Sequence, residues 1–176
     1  MSPSVAPGGF VLETTVNDTP VRVSIEPGEL LIDVLRERLG LTGTKRSCDV
    51  QVCGACTVLL DGMPVSSCTV LAYEARGRCV QTIEGLARGG ALHPVQEAFL
   101  AESAFQCGFC TPGMILAVTA LLQERPDPAP GEAAEWLRGN ICRCTGYVSI
   151  LRAVTAARRI RDARAAGPLT GPTVRG

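Results

Sequence analysis

The chain has 176 residues, of which 46% are hydrophobic and 19% charged, and its 17 Lys and Arg balance 17 Asp and Glu. This is a globular composition of one or two domains. Zero formal charge excludes a nucleic-acid binder that works by neutralising phosphates, and no apolar run nears the roughly 18 residues of a membrane span.

The first ten residues, MSPSVAPGGF, contain neither the basic nor the apolar stretch that marks export, so a cytoplasmic location is expected. Residues 10–16 (FVLETTV) and 20–25 (PVRVSI) read as a hairpin around Asn17-Asp18. Residues 30–39 (LLIDVLRERL) predict a helix with Leu31, Val34, Leu35 and Leu39 on one face and Gly40 as its stop. Residues 41–56 predict a ligand loop. Thr57–Leu60 and Met63–Val70 flank Asp61-Gly62, a second hairpin, and Cys79–Ile83 predicts a last strand. Residues 10–84 thus read as a small β-grasp domain.

Glu84–Leu92 is Gly-rich and reads as a linker, after which the periodicity is helical. Helices are predicted over 94–104, from Thr111 as N-cap and Pro112 as first residue to about Gln123, over 132–138, and from Gly146 to about Ala163. The expected fold class is α+β, with the β-grasp domain followed by an all-α four-helix-bundle domain over 85–166. Residues 167–176 are expected to form a disordered tail.

Nine Cys and a single His stand out. With no export signal, thiols are expected to stay reduced, so metal ligation or redox chemistry is their natural use. Cys48, Cys53, Cys56 and Cys68 are spaced C-x4-C-x2-C-x11-C. This is the plant-type [2Fe–2S] spacing. A zinc site usually pairs two short knuckles, and Cys68 has no near Cys partner. Cys107, Cys110, Cys142 and Cys144 are spaced C-x2-C-x31-C-x-C, each half just before a predicted helix start. The positive ends of two helices, with Arg138 and Arg143 nearby, would stabilise thiolates there. By spacing alone this second quartet is open between a [2Fe–2S] centre and a four-thiolate zinc site.

Cys79 lies outside both spacings and is expected to be a buried small hydrophobe. His93 is expected to start a helix, Trp136 to pack in a core or interface, and Arg158, Arg159, Arg161 and Arg164 to form a solvated face. There is no Gly-rich dinucleotide or phosphate loop, no H-E-x-x-H and no nucleophile–base set, so no catalytic residue is assigned to this chain.

The strings CDVQVCGACT (48–57), QCGFCTPGM (106–114), GNICRCTGY (139–147) and TIEGL (82–86) together resemble the small iron–sulfur subunit of the molybdenum hydroxylases, the family of xanthine oxidase, aldehyde oxidoreductase and carbon monoxide dehydrogenase. The likeness spans about residues 10–163. Ser47, Asp49 and Gln51 stand where many relatives carry Gly. The resemblance implies two [2Fe–2S] clusters, one per domain, on the two Cys quartets. It implies a molybdopterin on a large partner subunit beside the helical-domain cluster, with Gln106 hydrogen-bonding the pterin and Cys144 close to it. It implies FAD on a medium subunit facing the β-grasp cluster, a dimer of heterotrimers, and electron flow from molybdenum through both clusters to FAD. The alternatives are a stand-alone two-cluster ferredoxin and a zinc-stabilised interaction module.

Overall fold

The computed structural model describes residues 9–165, so the expected tail at 167–176 lies outside the described residues. Five strands form one mixed sheet: β1 (Phe10–Val16), β2 (Thr19–Ile25), β3 (Thr57–Leu60), β4 (Met63–Ser66) and β5 (Cys79–Gln81), in the order β2-β1-β5-β3-β4. β1 pairs antiparallel with β2 and parallel with β5, and β3 pairs antiparallel with both β5 and β4.

Both tight hairpins form as predicted. Asn17 and Asp18 take φ of 50° and 63°, and Asp61 and Gly62 take 51° and 83°. Two consecutive left-handed residues match the right-handed twist of the flanking strands. β4 stops at Ser66 rather than Val70, because Thr69 folds back to the carbonyl of Ser66 at 3.0 Å in the turn that carries Cys68.

The first helix, α1, is α-helical only at Leu31–Asp33 and continues as a π-helical turn over Val34–Arg38, closed by Leu39 N–H on the carbonyl of Val34 at 3.0 Å. Its inward residues serve two cores. Leu31, Val34 and Leu35 pack under the sheet with Leu12, Ile25, Val58 and Val80, while Ile32 turns to Cys56 and Cys68.

The predicted linker is ordered. Ile83–Gly85 makes a 3-10 turn, and Arg88 and Ala91 exchange backbone hydrogen bonds around Gly89 and Gly90. Four helices follow: α2 (Pro94–Ala101), α3 (Thr111–Glu124), α4 (Pro130–Trp136) and α5 (Val148–Ala165). α2 is three residues shorter than predicted. Ser103 adopts φ 49°, and Ala104 N–H reaches back to the carbonyl of Phe99 at 2.9 Å, a helix-ending turn usually built on Gly. His93 caps α2 as expected, its Nδ1 accepting from Val95 N–H at 3.3 Å while Gln96 Oε1 accepts from His93 N–H at 2.9 Å. The N-cap of α3 is Cys110, not Thr111, which is the first helical residue.

α3 is buried from Gly113 through Leu122 because it has two neighbours. One side joins Phe99, Leu137 and Ile150 in the helical core. The other places Leu116 and Ala120 on Leu59 of β3. All four residues of β3 are therefore buried, one face by the sheet core and the other by α3. Trp136 packs at this junction and donates Nε1–H to the carbonyl of Ala117 at 2.9 Å.

Two further expectations are corrected. Cys79 is exposed, because Val80 takes the inward position of β5 and strand alternation turns Cys79 the other way. The arginines of α5 are not simply solvated. Arg161 donates to the carbonyls of Leu122 and Pro126 at 3.3 and 2.9 Å, Arg164 to that of Leu92 at 2.9 Å, and Arg158 pairs with Asp127. Arg159 alone of the four is exposed without such a tie among the described residues. Among the described residues no helix is long and apolar enough to cross a membrane.

Candidate metal centres

The first quartet sits on the loop between α1 and β3, with Cys68 arriving from the turn after β4. The loop is wound tightly by left-handed residues: Asp49 at φ 55°, Gln51 at 57° and Gly54 at 67°. Asp49 and Gln51 thus occupy glycine-like conformations with ordinary side chains, at a cost of roughly 1–2 kcal/mol each. Both side chains are tied down. The Arg46 guanidinium holds the Asp49 carboxylate at 3.0 and 3.1 Å and also pairs with Asp33, while Thr69 donates its hydroxyl to Gln51 Oε1 at 3.1 Å.

This winding aims backbone N–H groups at sulfur. Val52 and Cys53 N–H both point at Cys48 Sγ at 3.4 Å. The N–H groups of Val50, Cys53 and Val52, with the Cys53 thiol, lower the Cys48 thiol to about 6. Cys56 and Cys68 are buried against Ile32. Burial pushes the Cys56 thiol up to about 11, the adjacent Cys68 thiol adding to the rise, so Cys56 would keep its proton near neutral pH until a bound cation displaced it into water.

In the second quartet Cys107 and Cys110 precede α3, and Cys142 and Cys144 precede α5. The sulfurs of Cys107 and Cys144 lie 3.6 Å apart on the exposed side. That contact raises the Cys144 thiol. Cys110 and Cys142 pair on the inner side. Burial, then the hydrogen bond with Cys142, pushes Cys110 up to about 12. Burial also works to raise Cys142, but the hydroxyl and N–H of Thr145 and the N–H of Cys144 outweigh it and hold that thiol below its ordinary value. Thr145 Oγ1 donates to Cys142 Sγ at 3.1 Å. Tyr147 fixes the segment: its hydroxyl accepts from Cys142 N–H at 2.8 Å and donates to the Asn140 carbonyl at 3.0 Å. Gln106 is exposed beside Cys107 and donates Nε2–H to the carbonyl of Cys144 at 3.0 Å. Arg138 adds little positive charge, since Glu135 pairs with it at 2.6 Å in the open. Arg143 is exposed.

The thiols of each quartet thus lie close enough to act on one another: Cys56 on Cys68 and Cys53, Cys110 on Cys142 and Cys107, and Cys107 on Cys144 at 3.6 Å. Four converging thiols are the donor set of a [2Fe–2S] centre.

The quartets adjoin each other, which the sequence spacing does not reveal. Ile141 N–H donates to the carbonyl of Cys53 at 2.8 Å. Asn140 Nδ2 donates to the Gly54 carbonyl and to Thr57 Oγ1, both at 3.1 Å. A Cβ on Gly54 would lie 2.3 Å from the Gly139 carbonyl oxygen, and one on Gly113 would lie 2.4 Å from that of Gly54. Gly54, Gly113, Asn140, Thr145 and Tyr147 thus build the site without being ligands. The only visible sign of them in sequence was their place inside or beside the Cys strings.

Comparison with known proteins agrees with this geometry. The family described as "2Fe-2S iron-sulfur cluster binding domain" matches residues 14–82, and that described as "[2Fe-2S] binding domain" matches residues 82–155. The chain is 47% identical over 148 residues to the xanthine dehydrogenase iron-sulfur-binding subunit of Escherichia coli, covering 82% of this chain and 92% of that one. It is 47% identical to the nicotine 6-hydroxylase small subunit of Paenarthrobacter nicotinovorans, covering 83% and 88%. Among solved structures, quinoline 2-oxidoreductase from Pseudomonas putida 86 superposes with a TM-score of 0.85 at 43% identity, covering 90% of this chain and 98% of that one. Aldehyde oxidoreductase from Desulfovibrio gigas superposes with a TM-score of 0.84 at 37% identity, covering 88% of this chain and 17% of the longer one. A chain with two adjoining thiolate quartets, matched along its length by such relatives, belongs to the two-cluster [2Fe–2S] electron-transfer subunits of the molybdenum hydroxylase family.

Proposed function

We propose that Cys48, Cys53, Cys56 and Cys68 hold one [2Fe–2S] cluster and that Cys107, Cys110, Cys142 and Cys144 hold the other. The observation that carries this is the gathering of four thiols on each of two adjoining loop sites, each inside a stretch matched by a [2Fe–2S] binding family. Residues 10–84 form the β-grasp ferredoxin-like domain and 85–166 the four-helix-bundle domain. The mixed strand order and the meeting of the two family matches at residue 82 support that division. Nine free cysteines suit a reducing cytoplasm.

The relatives described as small subunits support a role in a complex with a large molybdopterin-binding and a medium FAD-binding subunit. When bound, the clusters supply one-electron carriers in series between the molybdopterin and the flavin, the helical-domain one first. The residues of this chain position that series. Cys107, Cys144 and Gln106 form an exposed edge toward the large subunit, and the Gln106 amide, steadied on the Cys144 carbonyl, turns its remaining polar atoms to the pterin. Exposed Val50 and Val52 flank the first quartet on the flavin side. The bond from Ile141 to Cys53 shortens the gap between the two loops.

Iron and acid-labile sulfide should each reach about four per chain in the purified complex, with two distinct EPR signals on reduction. About two irons with bound zinc would overturn the assignment of the second quartet.

A further inference from the structure

Four of the proposed ligands are followed directly by threonine: Cys56-Thr57, Cys68-Thr69, Cys110-Thr111 and Cys144-Thr145. Three of these hydroxyls have work to do. Thr57 donates to the Gly54 carbonyl at 2.7 Å, Thr69 to Gln51 Oε1 at 3.1 Å, and Thr145 to Cys142 Sγ at 3.1 Å. Thr111 differs: its Oγ1 is shut off from solvent and has no hydrogen-bond partner among the described residues. A buried hydroxyl left unpaired is costly, and at this position Val would pack as well without that cost. Thr44 shares the condition but lies four residues ahead of Cys48, whereas Thr111 is bonded directly to Cys110.

Thr111 is half-buried and lines the apolar recess formed with Phe105, Pro112 and Ile115, where its hydroxyl finds no acceptor side chain, while Oγ1 itself is inaccessible to solvent. No thiol of its quartet accepts from it. We propose that Thr111 donates its hydroxyl to a bridging sulfide of the helical-domain cluster and so raises that cluster's reduction potential. This rests on the ligand assignment above.

The physical reason is charge. Reduction adds one electron and no proton to an already anionic group, so an O–H donor aimed at sulfur binds the reduced form more strongly than the oxidised one. Thr145 acts on Cys142 in the same sense.

The test uses the assembled complex with Thr111→Val, which keeps the shape and removes the donor, and Thr111→Ser, which keeps the donor. EPR-monitored redox titration should show the helical-domain cluster of Thr111→Val becoming about tenfold harder to reduce, about 59 mV lower for one electron. Thr111→Ser should stay at the wild-type potential, and the other cluster should not move in either variant. Pulsed EPR in D2O should show an exchangeable proton coupled to the helical-domain cluster in wild type and lost in Thr111→Val. If Thr111→Val does not assemble, Thr111→Ala offers the same comparison without the added branch. Four irons per chain with no shift and no lost coupling would overturn the role of Thr111 alone. Zinc in place of iron at the second quartet would overturn the ligand assignment and this inference with it.

Discussion

Ile141 gives its backbone N–H to the carbonyl of Cys53 at 2.8 Å, joining a residue next to one quartet directly to a cysteine of the other. The contact exists because the first loop is bare there. Gly54 follows Cys53, and Gly113 packs on its carbonyl. A Cβ on Gly54 would meet the Gly139 carbonyl, and one on Gly113 that of Gly54, so side chains at these two positions would hold the segments apart. The same closeness links folding of the two halves, since Asn140 bonds both Gly54 and Thr57.

Gly54→Ala should therefore damage both halves. A left-handed φ of 67° disfavours any side chain, and the new Cβ meets backbone at 2.3 Å, which cannot swing aside. A loss of at least about 2 kcal/mol is expected. Thermal bleaching of the visible iron–sulfur absorption should occur at a clearly lower temperature, and magnetic coupling between the two EPR signals should weaken. Wild-type bleaching with unchanged coupling would show that the loops do not touch as described.

Tyr147→Phe removes a hydroxyl that accepts from Cys142 and donates to Asn140. Leaving both partners wanting should cost about 1–3 kcal/mol. The effect should be local: faster loss of the helical-domain EPR signal under chelator, with the other signal intact. Equal loss of both signals would contradict a local role.

Cys79 is exposed and lies in neither quartet, and its backbone N–H, not its thiol, bonds Asp61 at 2.8 Å. Cys79→Ser should retain both clusters and change stability by no more than about 0.5 kcal/mol. Disappearance of either EPR signal would refute the ligand assignment.

Much of this was legible in the chain. Asn17-Asp18 and Asp61-Gly62 announced their hairpins because only a few residue types tolerate paired left-handed conformations. Cysteine spacing announced two four-thiol groups. What stayed hidden depended on distant contacts or on residues doing a glycine's work. Ser103 ends α2 and Gln51 winds the first loop at φ 49° and 57°, with no composition cue for either. The burial of β3 on both faces follows from α3, more than fifty residues later in the chain. Asn140 reads locally as a helix stop, yet its side chain crosses 86 positions of sequence to Gly54. Cys79 was misplaced because a three-residue strand is too short for alternation to show which side faces in.

The proposed order of transfer makes the first quartet indispensable to the flavin but not to substrate oxidation. Cys53→Ser tests this in the assembled complex, once EPR shows that the first cluster is absent and the helical-domain cluster present. Rapid mixing with substrate should still bleach the helical-domain cluster in one turnover, because its four thiols and its Thr145, Tyr147 and Gln106 contacts are untouched. Flavin bleaching should slow by orders of magnitude, and steady-state turnover with it. The two absorb at different wavelengths, so the steps can be followed separately. Flavin reduction at the wild-type rate in such a variant would mean that electrons reach the flavin without passing the first quartet, and the Ile141–Cys53 contact would then be structural rather than part of the route.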